Sequence, residues 1–406
     1  MSRISVDHAG LTEVKGGKAT MAVPIAMPRI MRIGAGAVTE IGDVVTTLGL
    51  KRPLIVTDSY LVGTGSAQKM MEVFVAAGLS PAMFDGTVPD PTTESLEPAV
   101  ALMRNHRADA IVGFGGGSPM DTAKALAVIG HHGGSMRQYK APAETAGPAL
   151  PIIAVPTTAG SGSEATQFAI ITDSDHNEKM LCPGLAFLPI AAIIDFELTV
   201  SMPPRLTADT GVDALSHAIE AYVSKKANLF SDGMALRAIS TIGQYLRRAY
   251  ANGADTEARE HMMLAATQAG IAFSNSSVAL VHGMSRPIGA HFHVAHGLAN
   301  AMLFPAVTAF SAPAAQGRYA DCARALGVTT VGDSDAAAAD GLVSALTELC
   351  RDVEVPTPKS FGINESQWHE LIPLMAEQAL ASGSPNNNPL VPTNAQIRDL
   401  YVRIYS

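Results

Sequence analysis

Between residues 36 and 200, short apolar runs alternate with amphipathic stretches. Apolar runs lie at 53–57, 110–114 and 152–155, and helical spacing fills 60–77 and 119–129. This alternation predicts βαβ units and a parallel sheet. Beyond Pro203 and Pro204 the strand-like runs stop, and Ala-, Leu- and Met-rich stretches at helical spacing occupy 205–250, 256–280 and 332–352. The second half is therefore predicted to be all-helical. The two prolines mark the boundary, because the residue before a proline is pushed out of the helical region. The expected division is an N-terminal extension over 1–27, an α/β unit over 28–203 and a helical unit over 204–406. Residues 1–27 show no sustained periodicity and carry no argument.

A chain of 406 residues that is 47% hydrophobic and 16% charged can bury a large core and has the length of two domains. Its formal net charge of -9 gives no footprint for nucleic acid or an anionic membrane, which leaves a small molecule as the expected partner. Cys182, Cys322 and Cys350 are odd in number, far apart and without C-x-x-C spacing. Neither a disulfide framework nor a thiolate metal site is indicated, and a reducing compartment follows. No uninterrupted apolar run reaches the roughly 18 to 20 residues of a membrane helix, and 1–27 lacks a signal-peptide core. A cytoplasmic protein is expected.

The run at 110–114 leads directly into Gly115, Gly116, Gly117, Ser118 and Pro119. A glycine turn before a helix brings bare N–H groups and the positive end of the helix dipole to one point, which suits a pyrophosphate. Ser118 is expected to cap that helix and Pro119 to open it. No acid lies between Asp121 and Glu144 to read a ribose at the usual spacing of about 20 residues. Asp58, ending the 53–57 run, is the candidate instead. The bland alternative stays open: a tight corner at the glycines and a helix cap at Asp58. A second small, hydroxyl-rich loop follows at 156–164 and fits either a turn or a site.

Four of the twelve histidines, His282, His291, His293 and His296, fall within 15 residues of one another. Upstream, Asp213 and His217 are four apart in a helical stretch and so share one helix face. A carboxylate with imidazoles forms a borderline N/O donor set that suits Fe(II) or Zn(II) and leaves positions open for a substrate oxygen. Taken singly, each of these residues also fits a helix-surface pair or a satisfied core histidine.

The stretches GGGSPMDTAKA at 115–125, PTTAGSGSEAT at 156–166 and GVDALSHAIEAY at 211–222, with His282-Gly283-Met284 and His296-Gly297, resemble the iron-containing (group III) alcohol dehydrogenase family. The resemblance runs from about residue 30 to the C-terminus. It implies a dinucleotide-binding α/β domain, a helical metal-binding domain and an active site between them. By motif position it makes Asp213, His217, His282 and His296 ligands of Fe2+, or alternatively Zn2+. It sets Gly115, Gly116, Gly117 and Ser118 at the pyrophosphate of NAD, Thr157, Thr158, Ser161 and Lys179 beside the cofactor, and Asp58 at the ribose. The implied reaction moves hydride between NAD(H) and a small alcohol or aldehyde, in a homodimer or larger homo-oligomer.

One position departs from the family: propanediol oxidoreductase-like members carry a second histidine four residues after the first late ligand, where this chain has Arg286. A guanidinium is neither a base near neutral pH nor a usual metal ligand. Arg286 is thus a candidate for reading the charge of a hydroxy acid or polar alcohol, with an outward-pointing arginine paired to Glu220 as the alternative, and His293 is a candidate proton route. The same two-domain plan also serves dehydroquinate synthase-type lyases. Their phosphate substrate calls for clustered Lys and Arg, which the helical half lacks in sequence. A non-catalytic nucleotide-binding protein has no use for the ligand set.

Overall fold

A computed structural model describes residues 22–176, 178–330 and 332–406. The strands are β1 (Ile30–Ile33), β2 (Pro53–Val56), β3 (Ala82–Phe84), β4 (Ala110–Gly115), β5 (Ile152–Pro156), β6 (Phe168–Asp173), β7 (Glu178–Pro183) and β8 (Ala191–Ile194). Six of them form one parallel sheet in the order β1-β8-β5-β4-β2-β3, while β6 and β7 pair as a separate antiparallel hairpin. Helices α1 (Ile41–Thr47), α2 (Ser59–Gly63), α3 (Ser66–Ala76), α4 (Glu97–His106) and α5 (Gly117–His132) accompany the sheet.

β2, β4, β5 and β8 are buried at every position, as strands covered on both faces must be, and Val, Ile and Leu dominate their inner stretches. The chain leaves β2 for β3 on one side and returns at β4 on the other, so the sheet reverses direction between β2 and β4. Val56 is in register with Gly113, which brings Asp58 and the turn after β4 to the same sheet edge. A crevice outside the carboxyl ends of strands at such a reversal is where ligands of open α/β sheets bind.

The helical half comprises α6 (Pro204–Val223), α7 (Leu229–Ala251), α8 (Thr256–Ser274), α9 (Leu280–Phe292), α10 (His296–Ser311), α11 (Gln316–Leu326), α12 (Asp335–Asp352), α13 (Pro358–Phe361), α14 (Glu365–Ala381) and α15 (Asn394–Ile404). Among the described residues no strand follows Ile194. Helix α6 is buried over nearly its whole length and packs against α7, α8 and α10, which makes it the axis of the larger core.

The three apolar runs are strands, as expected. The helical stretches are more broken than their spacing suggests. The 60–77 stretch divides between α2 and α3 at Gly65, whose φ is 77°, and the 205–250 stretch divides where Ser224 ends α6 and Asn228 caps α7. The extension is not wholly loose: residues 1–21 lie outside the described residues, but Ala26 donates to Asn275 Oδ1 at 2.7 Å and accepts from its Nδ2 at 2.9 Å. No helix among the described residues is long and apolar enough to cross a membrane.

The halves touch backbone to backbone. A Cβ added at Gly162, in the loop after β5, falls 2.5 Å from Gly270 Cα on α8, and one at Gly160 falls 2.8 Å from Thr210 Cα on α6.

Candidate metal and dinucleotide site

Asp213 and His217 share one face of α6, His282 lies in the first turn of α9, and His296 is the first residue of α10. Each offers one ligand atom, and the four atoms lie within 4.8 Å of one another. His282 Nε2 is 3.5 Å and His217 Nε2 3.9 Å from Asp213 Oδ1. The His217 ring stacks between Phe273 and His282, with centroids 4.3 and 4.4 Å away. The resemblance chose His282 and His296 from four late histidines, and the structure places the other two elsewhere. His291 bonds Gln378 Oε1 at 2.8 Å. His293 ends α9 in the left-handed region, at φ 54°, where it turns the chain toward α10. It is exposed and outside the cavity, so the structure gives it no proton route.

Glu220, one helical turn after His217, stands behind His282: its Oε2 is 2.6 Å from His282 Nδ1, and its Oε1 accepts from Val281 N at 2.6 Å. This fixes the ring and leaves Nε2 facing the cluster, the usual division of labour in a carboxylate–histidine–metal arrangement. Burial works against a charged imidazole at His282, yet the Glu220 and Asp213 carboxylates override it and push the group up to about 9. At His217 burial prevails and lowers it to about 4; His296 is exposed along one edge, and the loss of solvation on its cluster side lowers it to about 3. The Asp213 carboxyl is held well below the carboxylate range, because the histidine charges outweigh its burial.

The residues fit a divalent cation. Asn300 Nδ2 lies 2.6 Å from Asp213 Oδ1 and 3.1 Å from both His282 Nε2 and His296 Nε2, two hydrogens facing three ligand atoms. Asn300 Oδ1 is buried without a partner among the described residues. One carboxylate oxygen and three imidazole nitrogens are a donor set for Fe(II) or Zn(II).

On the sheet side, β4 ends at Gly115, whose φ of 151° and position against the Pro119 ring, 2.5 Å from an added Cβ, admit no side chain. Helix α5 begins two residues earlier than the spacing suggests: Gly116 is its cap position, Gly117 its first residue, and Ser118 lies inside it rather than capping it. No side chain caps that end, so its first N–H groups are free to meet an anion. The loop after β5 folds over the turn. Thr157 N donates to Gly115 O at 3.0 Å, and Thr158 and Ser161 side chains lie 3.5 and 3.6 Å from where a Cβ on Gly116 and Gly117 would stand.

Asp58 does cap α2, its Oδ1 accepting from Leu61 N at 3.0 Å, while its other oxygen bonds nothing among the described residues. Lys179, from β7, reaches the cleft with its Nζ 2.9 Å from Asp90 Oδ1. A cavity of about 580 Å³ joins the two sides, with Gly117, Ser118 and Ser161 on one wall and His217, His282 and His296 on the other. Arg286 also lines it and donates from Nη1 to Ser384 Oγ at 3.2 Å; no ion pair with Glu220 forms.

A buried polar strut also escaped the sequence reading. Lys124 Nζ donates to Thr166 O, Thr166 Oγ1 and Phe168 O, while Asp121 accepts from Ser163 Oγ and Ile170 N. Burial lowers Lys124 to about 8 and raises Asp121. The pair ties α5 to the loop and hairpin that flank the glycine turn. Their spacing of three residues on one helix was the available signal.

Residues 28–196 match the family described as iron-containing alcohol dehydrogenase, and residues 207–405 match the C-terminal part of the Fe-containing alcohol dehydrogenase family. The chain is 39% identical over 375 residues to the NAD-dependent methanol dehydrogenase of Bacillus methanolicus, covering 92% of this chain and 97% of the relative. It is 38% identical over 371 residues to the lactaldehyde reductase of Escherichia coli (strain K12), covering 91% and 96%. The crystal structure of a 1,3-propanediol oxidoreductase superposes with a TM-score of 0.91 at 34% identity, covering 95% of this chain and all of the other.

The chain belongs to the iron-containing, group III alcohol dehydrogenase family. It is a metal-dependent oxidoreductase that links a small alcohol or aldehyde to NAD(H).

Proposed function

We propose that Asp213, His217, His282 and His296 hold one Fe2+, or alternatively Zn2+. The NAD pyrophosphate rests on the turn of Gly115, Gly116, Gly117 and Ser118, flanked by Thr157, Thr158, Ser161 and Lys179. The observation that carries this reading is the single cavity that joins an uncapped helix N-terminus to four convergent ligand atoms. Bound there, the cation supplies Lewis acidity toward the substrate oxygen and the nicotinamide accepts or returns hydride. The chain supplies position: Glu220 and Phe273 hold the histidine rings, and Phe168, Ile170 and Leu181 give the cavity an apolar wall. Sharing about 580 Å³ with the cofactor limits the substrate to a small molecule.

Asp58, with one uncommitted oxygen, faces the ribose and repels a 2'-phosphate, which favours NAD over NADP. Residues 28–203 serve the cofactor and 204–406 the metal. Edge strand β1 and the exposed Val23, Ile25, Met27 and Ile33 beside or within it support assembly into a homodimer or larger homo-oligomer. Three buried, unbridged cysteines support a cytoplasmic location.

Chelator-stripped enzyme should lose NAD reduction with small alcohols and regain it when Fe2+ or Zn2+ is restored. Full alcohol-dependent turnover of protein shown by elemental analysis to be metal-free would overturn the reading.

A further inference from the structure

Arg286 puts a permanent cation in the cleft at the position where the resembling family members carry a histidine. It lies four residues after His282 on α9, so its side chain leaves the same helix face and lines the same cavity as the ligands. The guanidinium has five N–H donors, and among the described residues one bond uses them, from Nη1 to Ser384 Oγ at 3.2 Å. Among the described residues it forms no ion pair, and Glu220 is the carboxylate whose charge acts on it. Glu220, the nearby acid, has one oxygen on His282 Nδ1 and the other on Val281 N. Nε and Nη2 bond nothing among the described residues, and the side chain lines the cavity.

A half-buried charge with spare donors, balanced only at a distance by a Glu220 carboxylate already engaged with His282, is costly, and a ligand that supplies a direct counter-ion recovers that cost. Lys226, at the cavity rim between α6 and α7, forms no ion pair among the described residues and adds a second positive charge, whereas Lys179 is already neutralised by Asp90. Ser384 orients the guanidinium, leaving its fork for the planar, bidentate pairing that carboxylates and related oxyanions make with arginine.

We propose, building on the dehydrogenase reading above, that the substrate is a short alcohol or aldehyde with an oxyanion at its far end, a carboxylate or sulfonate, bound by Arg286. Sharing the cavity with the cofactor leaves room for only a few carbons between carbinol and oxyanion. The reaction balances with the known partners. The carbinol carbon gives hydride to NAD+, its hydroxyl proton passes to solvent, a C=O bond forms, and the oxyanion is unchanged throughout.

The test compares kcat/KM for 4-hydroxybutyrate, 3-hydroxypropionate and 2-hydroxyethanesulfonate with that for 1-butanol and 1,4-butanediol, using metal-loaded wild type, Arg286→Gln and Arg286→Lys. Wild type is expected to favour at least one acid over 1-butanol by tenfold or more, and the preferred acid identifies the oxyanion. In Arg286→Gln the acid-to-butanol ratio should fall roughly 100-fold, carried mainly by KM, with Arg286→Lys between the two. Butyrate should inhibit butanol oxidation competitively in wild type and about tenfold more weakly in Arg286→Gln. An unchanged ratio in Arg286→Gln, or brisk turnover of butanol with every acid inert, overturns the oxyanion assignment and leaves the dehydrogenase reading standing. Loss of turnover on the whole panel after metal is restored overturns both.

Discussion

The two walls of the cleft are made of different material. The cofactor wall is main chain: Gly115 excludes a side chain by its backbone angle and by the Pro119 ring, and Gly116 and Gly117 open an uncapped helix. The metal wall is side chain: one carboxylate and three imidazoles on α6, α9 and α10, with Glu220 holding one ring from behind. A wall of backbone tolerates changes of chemistry but not of volume. A wall of ligands is sensitive to chemistry first.

The largest effect should follow from breaking that contrast on the metal side. His282→Ala is expected to abolish bound metal and lower turnover by at least about 1000-fold, while the far-ultraviolet circular dichroism spectrum stays native. Glu220→Gln keeps the shape but removes the charge behind His282, so metal affinity should fall only about 10- to 100-fold. Wild-type metal retention in Glu220→Gln, measured by competition with a chelator, would show that the ring needs no support.

On the cofactor side a pair of glycines sharpens the comparison. Gly115→Ala drives a methyl into Pro119 and should cost about 2 kcal/mol in urea unfolding. Gly117→Ala meets nothing closer than 3.6 Å and should leave stability within about 0.5 kcal/mol while raising KM for NAD several-fold, since its methyl borders the phosphate position. If the two variants lose stability alike, the distinction between space and contact at this turn is wrong.

The smallest effect is expected at Asp58, a side chain on the wall otherwise built of backbone. Asp58→Gly should raise the NADP-to-NAD ratio of kcat/KM about tenfold, with only a few tenths of a kcal/mol lost because glycine is itself tolerated at a helix cap. A wild-type enzyme that already uses both cofactors equally would remove Asp58 from the ribose.

The same contrast explains what the sequence made legible. Buried strands β2, β4 and β5 appear as uninterrupted apolar runs, whereas β1 is interrupted by Arg32 and half exposed, and β7 opens with Glu178 and Lys179, which hid them. Asp213 and His217 could be paired from their spacing because one helix presents both. The choice of His282 and His296 over His291 and His293 depends on how α9 turns into α10, and local spacing does not encode that turn; the family motif supplied it. Glu220 and Asn300 carried the same i, i+3 and i, i+4 signals as the ligands beside them, one turn after His217 and His296, but Glu220 was expected only as a partner for Arg286, and spacing within one helix does not show that these two side chains meet His282 on another. Lys226 and Arg286, sixty residues apart, line one cavity, which no window of sequence shows.

Where Gly162 meets Gly270, no side chain intervenes between the loop beside the cofactor turn and the helix that carries Phe273. Such a contact has no rotamers to freeze and no flexible tips to yield. The width of the cleft is therefore set by the radii of two main chains, and gradual exchange of core side chains over evolutionary time can retune the pocket without altering the span between its walls. Substrate preference can drift while that one dimension is inherited intact.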